Sequence, residues 1–439
     1  MDQSTFTAGL LEFLAQSPTP FHAAQAMERS FLAAGFETVQ QGRAFAPGSA
    51  GVVYRQGGSL IALLPGSDPL KDCGVRMVGA HTDSPCLMVK PQAEQRSKGY
   101  LQLGIEVYGG ALLNPWFDRD LSLAGRVSYE SEDGAVATAL VNFQDPIAVV
   151  PSLAIHLDRD ANQNRTVNAQ THMAPLLGLG FGEDETLRDL LLERLRTDGV
   201  VLEAVLDYEL CFYDSQAPAI IGLAGEFIAS ARLDNLLSCY TGMQALLQAD
   251  GSQWAILVCN DHEEVGSRSS TGAQGPMLRY FLEAMLGGRN GSEDAGSGEF
   301  GQLMQRSMMI SADNAHGVHP SYPDKHDARH GPVLNGGPVI KVNASQRYAS
   351  SSDGAGLLRV LADQEGVPVQ SFAVRADMGC GSTIGPITAG ELGVTTLDVG
   401  VPTLAMHSIR ELAGSDDAWM LQRVLSRYFQ RPGPLFAPY

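Results

Sequence analysis

Three times along this chain a short apolar run stops at a cluster of histidine and acidic side chains. Residues 75–80 lead into His81-Thr82-Asp83, residues 254–259 into Asp261-His262-Glu263-Glu264, and residues 308–312 into Asp313-Asn314-Ala315-His316. Short apolar runs bounded in this way read as buried strands. Open α/β sheets gather their ligands beyond the carboxyl ends of such strands. A fourth cluster, Ala405-Met406-His407-Ser408, follows a strand-like stretch around Val399 and Leu404, and Asp234 stands near the start of a helix within Arg232-Leu233-Asp234-Asn235. The pattern therefore predicts an α/β sheet with its chemistry collected at one edge.

The rest of the chain fills in around these strands. Amphipathic helices are expected at about 4–15 and 19–34, and a strand at 60–64 is closed by Pro65-Gly66. From about 92 to 228 the texture changes to alternating segments such as 100–107 and 137–143, which read as half-buried antiparallel strands. A long helix at 230–249 and a strand at 254–259 resume the α/β order. Further strands are expected at 308–312, 338–342, 370–374 and 394–399, with helices at about 353–364 and 415–429. At 439 residues the chain exceeds what one hydrophobic core usually serves. The expected division is a discontinuous catalytic domain, 1–91 and 229–439, interrupted by a β-rich domain at 92–228. Residues 287–301 hold six glycines and almost no apolar anchors, and are expected to form a mobile surface loop without chemistry.

Charge and composition exclude several partners. The net charge of −19 repels a phosphate backbone, so no nucleic acid is expected. No apolar stretch approaches the ~20 residues of a membrane span, and no basic stretch followed by an apolar run marks a leader. Six scattered cysteines without a C-x-x-C pair read as reduced thiols, and the expected location is cytoplasmic. The acidic field also opposes acidic substrates unless a local cation overrides it.

Taken singly, the clustered residues have ordinary readings. A Glu-Glu doublet is usually a solvated loop, Asp234 is a first-turn helix acid, Asp313 can cap a turn, and His81 or His407 can be a hydrogen-bonded core histidine. Together they form a mixed imidazole and carboxylate set that suits zinc or a similar ion and disfavours calcium or magnesium. Two histidines and three carboxylates hold two metals if one carboxylate bridges.

The clusters resemble the aspartyl aminopeptidase family of co-catalytic zinc metallopeptidases. The likeness runs through Gly79-Ala80-His81-Thr82-Asp83-Ser84-Pro85, Ala231-Arg232-Leu233-Asp234-Asn235, Asp261-His262-Glu263-Glu264-Val265-Gly266-Ser267 and Ser311-Ala312-Asp313-Asn314-Ala315-His316. It continues through Gly337-Pro338-Val339-Ile340-Lys341-Val342-Asn343, Asp377-Met378-Gly379-Cys380-Gly381-Ser382-Thr383 and Met406-His407-Ser408-Ile409-Arg410-Glu411. Asn314 departs from the pattern, where a methionine is expected.

The resemblance implies an α/β fold: a mixed-sheet di-zinc peptidase domain with helices on both faces, interrupted by an inserted β-rich dimerisation/assembly domain. It implies two divalent metal ions per subunit, zinc with cobalt or manganese as alternatives. His81 and Asp313 would hold one, Glu264 and His407 the other, and Asp234 would bridge. Glu263 is then the general base and Asp83 the acid that orients His81. His316 and Gly379 to Gly381 are expected to face the oxyanion or shape the pocket. Short peptides with N-terminal Asp or Glu are the expected substrates, Lys341 being the first choice of pocket cation ahead of Arg347, His316 and His319. The alternatives are an aminopeptidase for neutral, leucine-like N-termini and a non-catalytic metal-binding assembly protein, against which the spare base Glu263 argues. The family further implies a homo-oligomer of dimers assembling into a tetrahedral dodecamer, with His156 reaching a neighbouring subunit's active site.

Overall fold

Within each central strand of the computed structural model, alternate side chains enter two different hydrophobic cores. In the strand Ser59–Leu64, Leu60 and Ala62 face one core while Ile61 and Leu63 face the other. The strand Ala255–Asn260 divides the same way, Leu257 and Cys259 against Ile256 and Val258. A strand apolar on both faces needs cover on both. The first core is closed by the helices Gln3–Gln16, Pro20–Ala33, Leu233–Leu247, Ser352–Gln364 and Asp417–Phe429, the second by Met277–Asn290 and Ser297–Arg306. The structure describes residues 1–40, 42–179, 182, 185–290 and 297–436.

The chain forms two compact units. The first comprises residues 1–83, 218–406 and 411–439. Its nine-stranded sheet is mixed, in the order Glu37–Thr38, Val52–Gln56, Ser59–Leu64, Ala255–Asn260, Arg76–His81, Met308–Ala312, Thr395–Gly400, Val339–Val342, Gln370–Ala373. A smaller five-stranded sheet joins Ala219–Ile221, Phe227–Ser230, Glu411–Gly414, Pro402–Leu404 and Ala315–His316. The second unit comprises residues 84–217 and 407–410. Its six strands pair antiparallel throughout, and the helix Leu187–Thr197 adds Leu187, Leu191 and Leu195 from one face to the core of Leu103, Leu123 and Phe212. A capping box of Thr186 and Asp189 starts that helix.

Two expectations change. The helix expected from 230 begins only at Leu233, because Ser230 ends the strand Phe227–Ser230 and Arg232 takes a left-handed φ of 60°. Asp234 and Asn235 then depart from helical dihedrals inside the first turn. The glycine-rich stretch 287–301 is helical at both ends, within Met277–Asn290 and Ser297–Arg306, because apolar anchors such as Leu286, Phe300 and Leu303 bury there. Its centre, 291–296, lies outside the described residues. Among the described residues no helix is long and apolar enough to cross a membrane.

Candidate metal centre

Four neighbouring strands of the large sheet run parallel: Ala255–Asn260, Arg76–His81, Met308–Ala312 and Thr395–Gly400. Their register places Asn260 beside His81 and Ser311 beside Gly79. His81, the turn Glu263–Val265 and Asp313 therefore emerge at one edge, as strand-end chemistry in such sheets does.

His81 is the hub. Its Nε2 lies 3.4 Å from Asp234 Oδ1, 3.6 Å from Asp313 Oδ1 and 3.9 Å from Glu263 Oε2. Its Nδ1 lies 3.0 Å from the Asp83 carbonyl and 3.4 Å from the Asp83 carboxylate. That carboxylate also accepts the backbone N–H groups of Glu263, at 3.1 Å, and Glu264, at 3.0 Å. One buried acid thus fixes the imidazole and the turn that carries the expected base.

Asp234 and Asp313 are fixed from behind. The Asp234 N–H donates to Glu411 Oε2 at 2.8 Å, and Asn235 Nδ2 donates to the Ala312 carbonyl at 2.8 Å. These tertiary hydrogen bonds hold Asp234 and Asn235 where their backbone leaves helical geometry. Lys341, buried in the strand Val339–Val342, donates to Asp313 Oδ2 and to the Asn314 carbonyl, both at 3.1 Å. Its charge is engaged at a candidate ligand, so it positions Asp313 whatever else it meets.

The electrostatics ask for a cation. Burial alone would lower the His81 imidazole, but hydrogen bonding with Asp234, Asp313 and Asp83 outweighs it and holds the group well above its ordinary value. Glu263 is pushed up to about 7 by burial, with His81 opposing and Asp313, Asp83 and Asp234 adding to the rise. His81, Asp234 and Asp313 present ligand atoms all within 4.8 Å of one another, as do His81, Glu263 and Glu264. Zinc bonds of ~2.0–2.1 Å in a tetrahedron imply ligand separations of ~3.3 Å. The His81 separations from Asp234 and Asp313 match that spacing, and the imidazole and carboxylate donors suit zinc.

A family model described as aminopeptidase I zinc metalloprotease (M18) matches residues 13–429. The chain belongs to the M18 aminopeptidase family. A curated relative from Pseudomonas entomophila (strain L48), named "Probable M18 family aminopeptidase 2", is 55% identical over 98% of this chain and 99% of its own length. A relative of the same name from Pseudomonas putida (strain GB-1) is equally similar, at 55% over 98% and 99%. Among solved structures, the one titled "Cryo-EM structure of the Ape4 and Nbr1 complex" superposes with a TM-score of 0.91 at 36% identity, over 98% of this chain and 86% of that one. The Chaetomium thermophilum mApe1 structure gives 0.85 at 28% identity, over 98% of both chains. The chain is accordingly a zinc-dependent metallo-aminopeptidase, a hydrolase of mixed α/β fold.

His407 belongs to the second unit, where its Nδ1 faces the Gly110 carbonyl at 3.2 Å. His156 is exposed in a turn of that same unit. His316 ends the strand Ala315–His316, exposed, with its ring edge-on to Phe372 at 5.8 Å. Gly379 and Gly381 occupy an exposed loop before the helix Ile384–Leu392. Glu411, which accepts the Asp234 N–H, has no role assigned by the spacing of the sequence clusters. A carboxylate inside an otherwise apolar short strand, Glu411–Gly414, was the available signal.

Proposed function

We propose that this chain is an aminopeptidase that removes N-terminal Asp or Glu from short peptides, using two divalent ions per subunit. We assign His81 and Asp313 to one ion and Glu264 and His407 to the other, with Asp234 between them; family membership supports the assignment, with cobalt or manganese as possible substitutes for zinc. Held by these residues, the ions would supply Lewis-acid polarisation of the scissile carbonyl and a lowered pKa for bound water. Glu263, a carboxylate beside the ligands, accepts the proton of the attacking water and returns it to the leaving amine. Asp83 keeps Glu263 in place through the backbone of the turn, and His316 faces the developing oxyanion.

The observation that carries the acidic preference is Lys341. An ammonium has three donors; Asp313 and the Asn314 carbonyl take two, and the ring of Tyr348 lies 5.1 Å from Nζ. The third donor is what the carboxylate of an N-terminal Asp or Glu would meet. The engagement with Asp313 equally favours the second reading, a preference for neutral, leucine-like N-termini, in which Lys341 serves Asp313 alone.

Assembly belongs to the same proposal. Leu153, Ile155 and Leu157 are 58%, 48% and 74% exposed on either side of His156, an apolar run that favours contact with another subunit. We infer a cytoplasmic homo-oligomer, dimers forming a tetrahedral dodecamer, in which His156 enters a neighbour's active site. The six free cysteines suit a reducing compartment.

The test compares Asp, Glu, Leu and acetyl-Asp substrates, before and after chelation, in wild type and in Lys341→Met. Chelation abolishes turnover and zinc, manganese or cobalt restores it. Wild type cleaves Asp and Glu termini in preference to Leu and leaves acetyl-Asp intact. Lys341→Met loses ~1.5–3 kcal/mol of discrimination between Asp and Leu. Equal losses on all substrates would leave Lys341 as the partner of Asp313 only.

A further inference from the structure

Asp398 is a fully buried carboxylate in the strand Thr395–Gly400, and the metal centre does not use it. Burying an ionisable acid is costly unless hydrogen bonds compensate it. Its partners come from two separate segments. Oδ2 accepts the Ala349 N–H at 2.6 Å, and Oδ1 accepts the Thr383 hydroxyl at 2.6 Å. Its backbone N–H donates to Ser350 Oγ at 3.1 Å. Ser382 Oγ, next to Thr383, donates to the Arg347 carbonyl at 3.2 Å and links the two segments directly.

Both segments lead to the place where the proposed function puts the substrate's first side chain. Ala349 follows Tyr348, the ring beneath the Lys341 ammonium. Thr383 ends the exposed stretch with Gly379 and Gly381 and caps the helix Ile384–Leu392 by accepting the Gly385 N–H. The fit around the carboxylate is tight: a Cβ at Gly385 would stand 2.4 Å from Asp398 Oδ2. A longer acid at 398 or a side chain at 385 has no room. Asp398 also forms part of the rigid parallel sheet, with Ser311, two residues before Asp313, as its neighbour in the Met308–Ala312 strand.

We propose that Asp398 is a positioning residue for selection of the N-terminal side chain, clamping the Tyr348 segment and the 379–383 segment to the sheet beside Lys341. The inference rests on the reading that this side chain is received at Lys341. Loosening the clamp displaces the pocket wall without touching a metal ligand, so it alters which terminus is preferred more than it alters turnover.

The experiment measures kcat and KM on Asp, Glu and Leu N-terminal substrates, with metal content and thermal unfolding, for wild type, Asp398→Asn and Thr383→Val. Both variants keep their metal. Asp398→Asn changes the Asp-to-Leu ratio of kcat/KM by about tenfold, mostly through KM, as loss of substrate positioning does. Thr383→Val, which cuts one arm of the clamp, moves the ratio the same way by less, and it carries the test if Asp398→Asn does not fold. An unchanged ratio in a folded variant, or equal losses on all three substrates, overturns the proposal. A wild type that prefers Leu refutes the acidic reading instead, and the variant-to-wild-type change in ratio still decides the role of Asp398.

Discussion

Glu263 and Glu264 are adjacent carboxylates whose backbone N–H groups both bind Asp83, and burial pushes Glu263 up to about 7. A base near the working pH accepts and returns a proton with the least loss in either direction. Glu263→Gln keeps the volume and removes the proton acceptor. The expected result is a full complement of metal with kcat reduced ~100-fold or more, read by metal analysis paired with steady-state kinetics. Loss of metal along with turnover would make Glu263 a ligand and exchange the roles within the doublet. The residue types at the centre were legible because chemistry restricts them: a histidine and acids at strand ends have few uses in combination. What held them in place was not legible. Glu411 reaches Asp234 across 177 positions of sequence and Lys341 reaches Asp313 across 28, and neither pairing follows from local spacing.

Elements followed from periodicity where packing agrees with local preference. Helices expected at 4–15, 19–34, 353–364 and 415–429 stand as Gln3–Gln16, Pro20–Ala33, Ser352–Gln364 and Asp417–Phe429. The apolar pattern failed at Asp234, where tertiary hydrogen bonds override the helix, and at 287–301, where glycine content concealed two helix ends anchored by buried residues. The last helix makes a prediction of its own. Asp417 in its first turn is fully buried and accepts the N–H groups of Asn335 at 2.6 Å and Gly337 at 2.8 Å. Burial outweighs those bonds and pushes its carboxyl up to about 7 from an ordinary 3.8. Between pH ~4 and ~7 the folded chain therefore holds a proton that the unfolded chain has released, so this group destabilises the fold increasingly as pH rises through that window. The full difference is roughly 4 kcal/mol. Asp417→Asn lacks the titration. Its melting temperature relative to wild type should rise by a few degrees from pH 5 to pH 8, measured by scanning calorimetry on metal-loaded protein; a constant difference would contradict the assignment.

At the scale of the whole molecule, the proposed role of His156 makes the catalytic site the property of two chains rather than one. His156 lies in an exposed turn flanked by exposed Leu153, Ile155 and Leu157, so a subunit by itself leaves both an apolar run and an imidazole facing solvent. Docking of that turn against a neighbour would bury the apolar side chains and deliver the imidazole together, which couples assembly to activity. Two inactive variants then complement each other. His156→Phe and Glu263→Gln each inactivate a uniform oligomer, one by withholding the donated residue and the other by removing the base. In a mixed oligomer, some intact metal centres on His156→Phe chains receive His156 from Glu263→Gln chains. With random pairing and one donor per centre, about one quarter of the centres is complete. Co-expression with two affinity tags, purification through both and assay of the doubly tagged material should therefore recover about a quarter of wild-type turnover. Doubly tagged oligomers that carry metal yet stay inactive would confine His156 to its own subunit. Recovery that persists when His156→Phe is paired with a chain carrying both substitutions would show that Glu263→Gln chains contribute something other than this histidine.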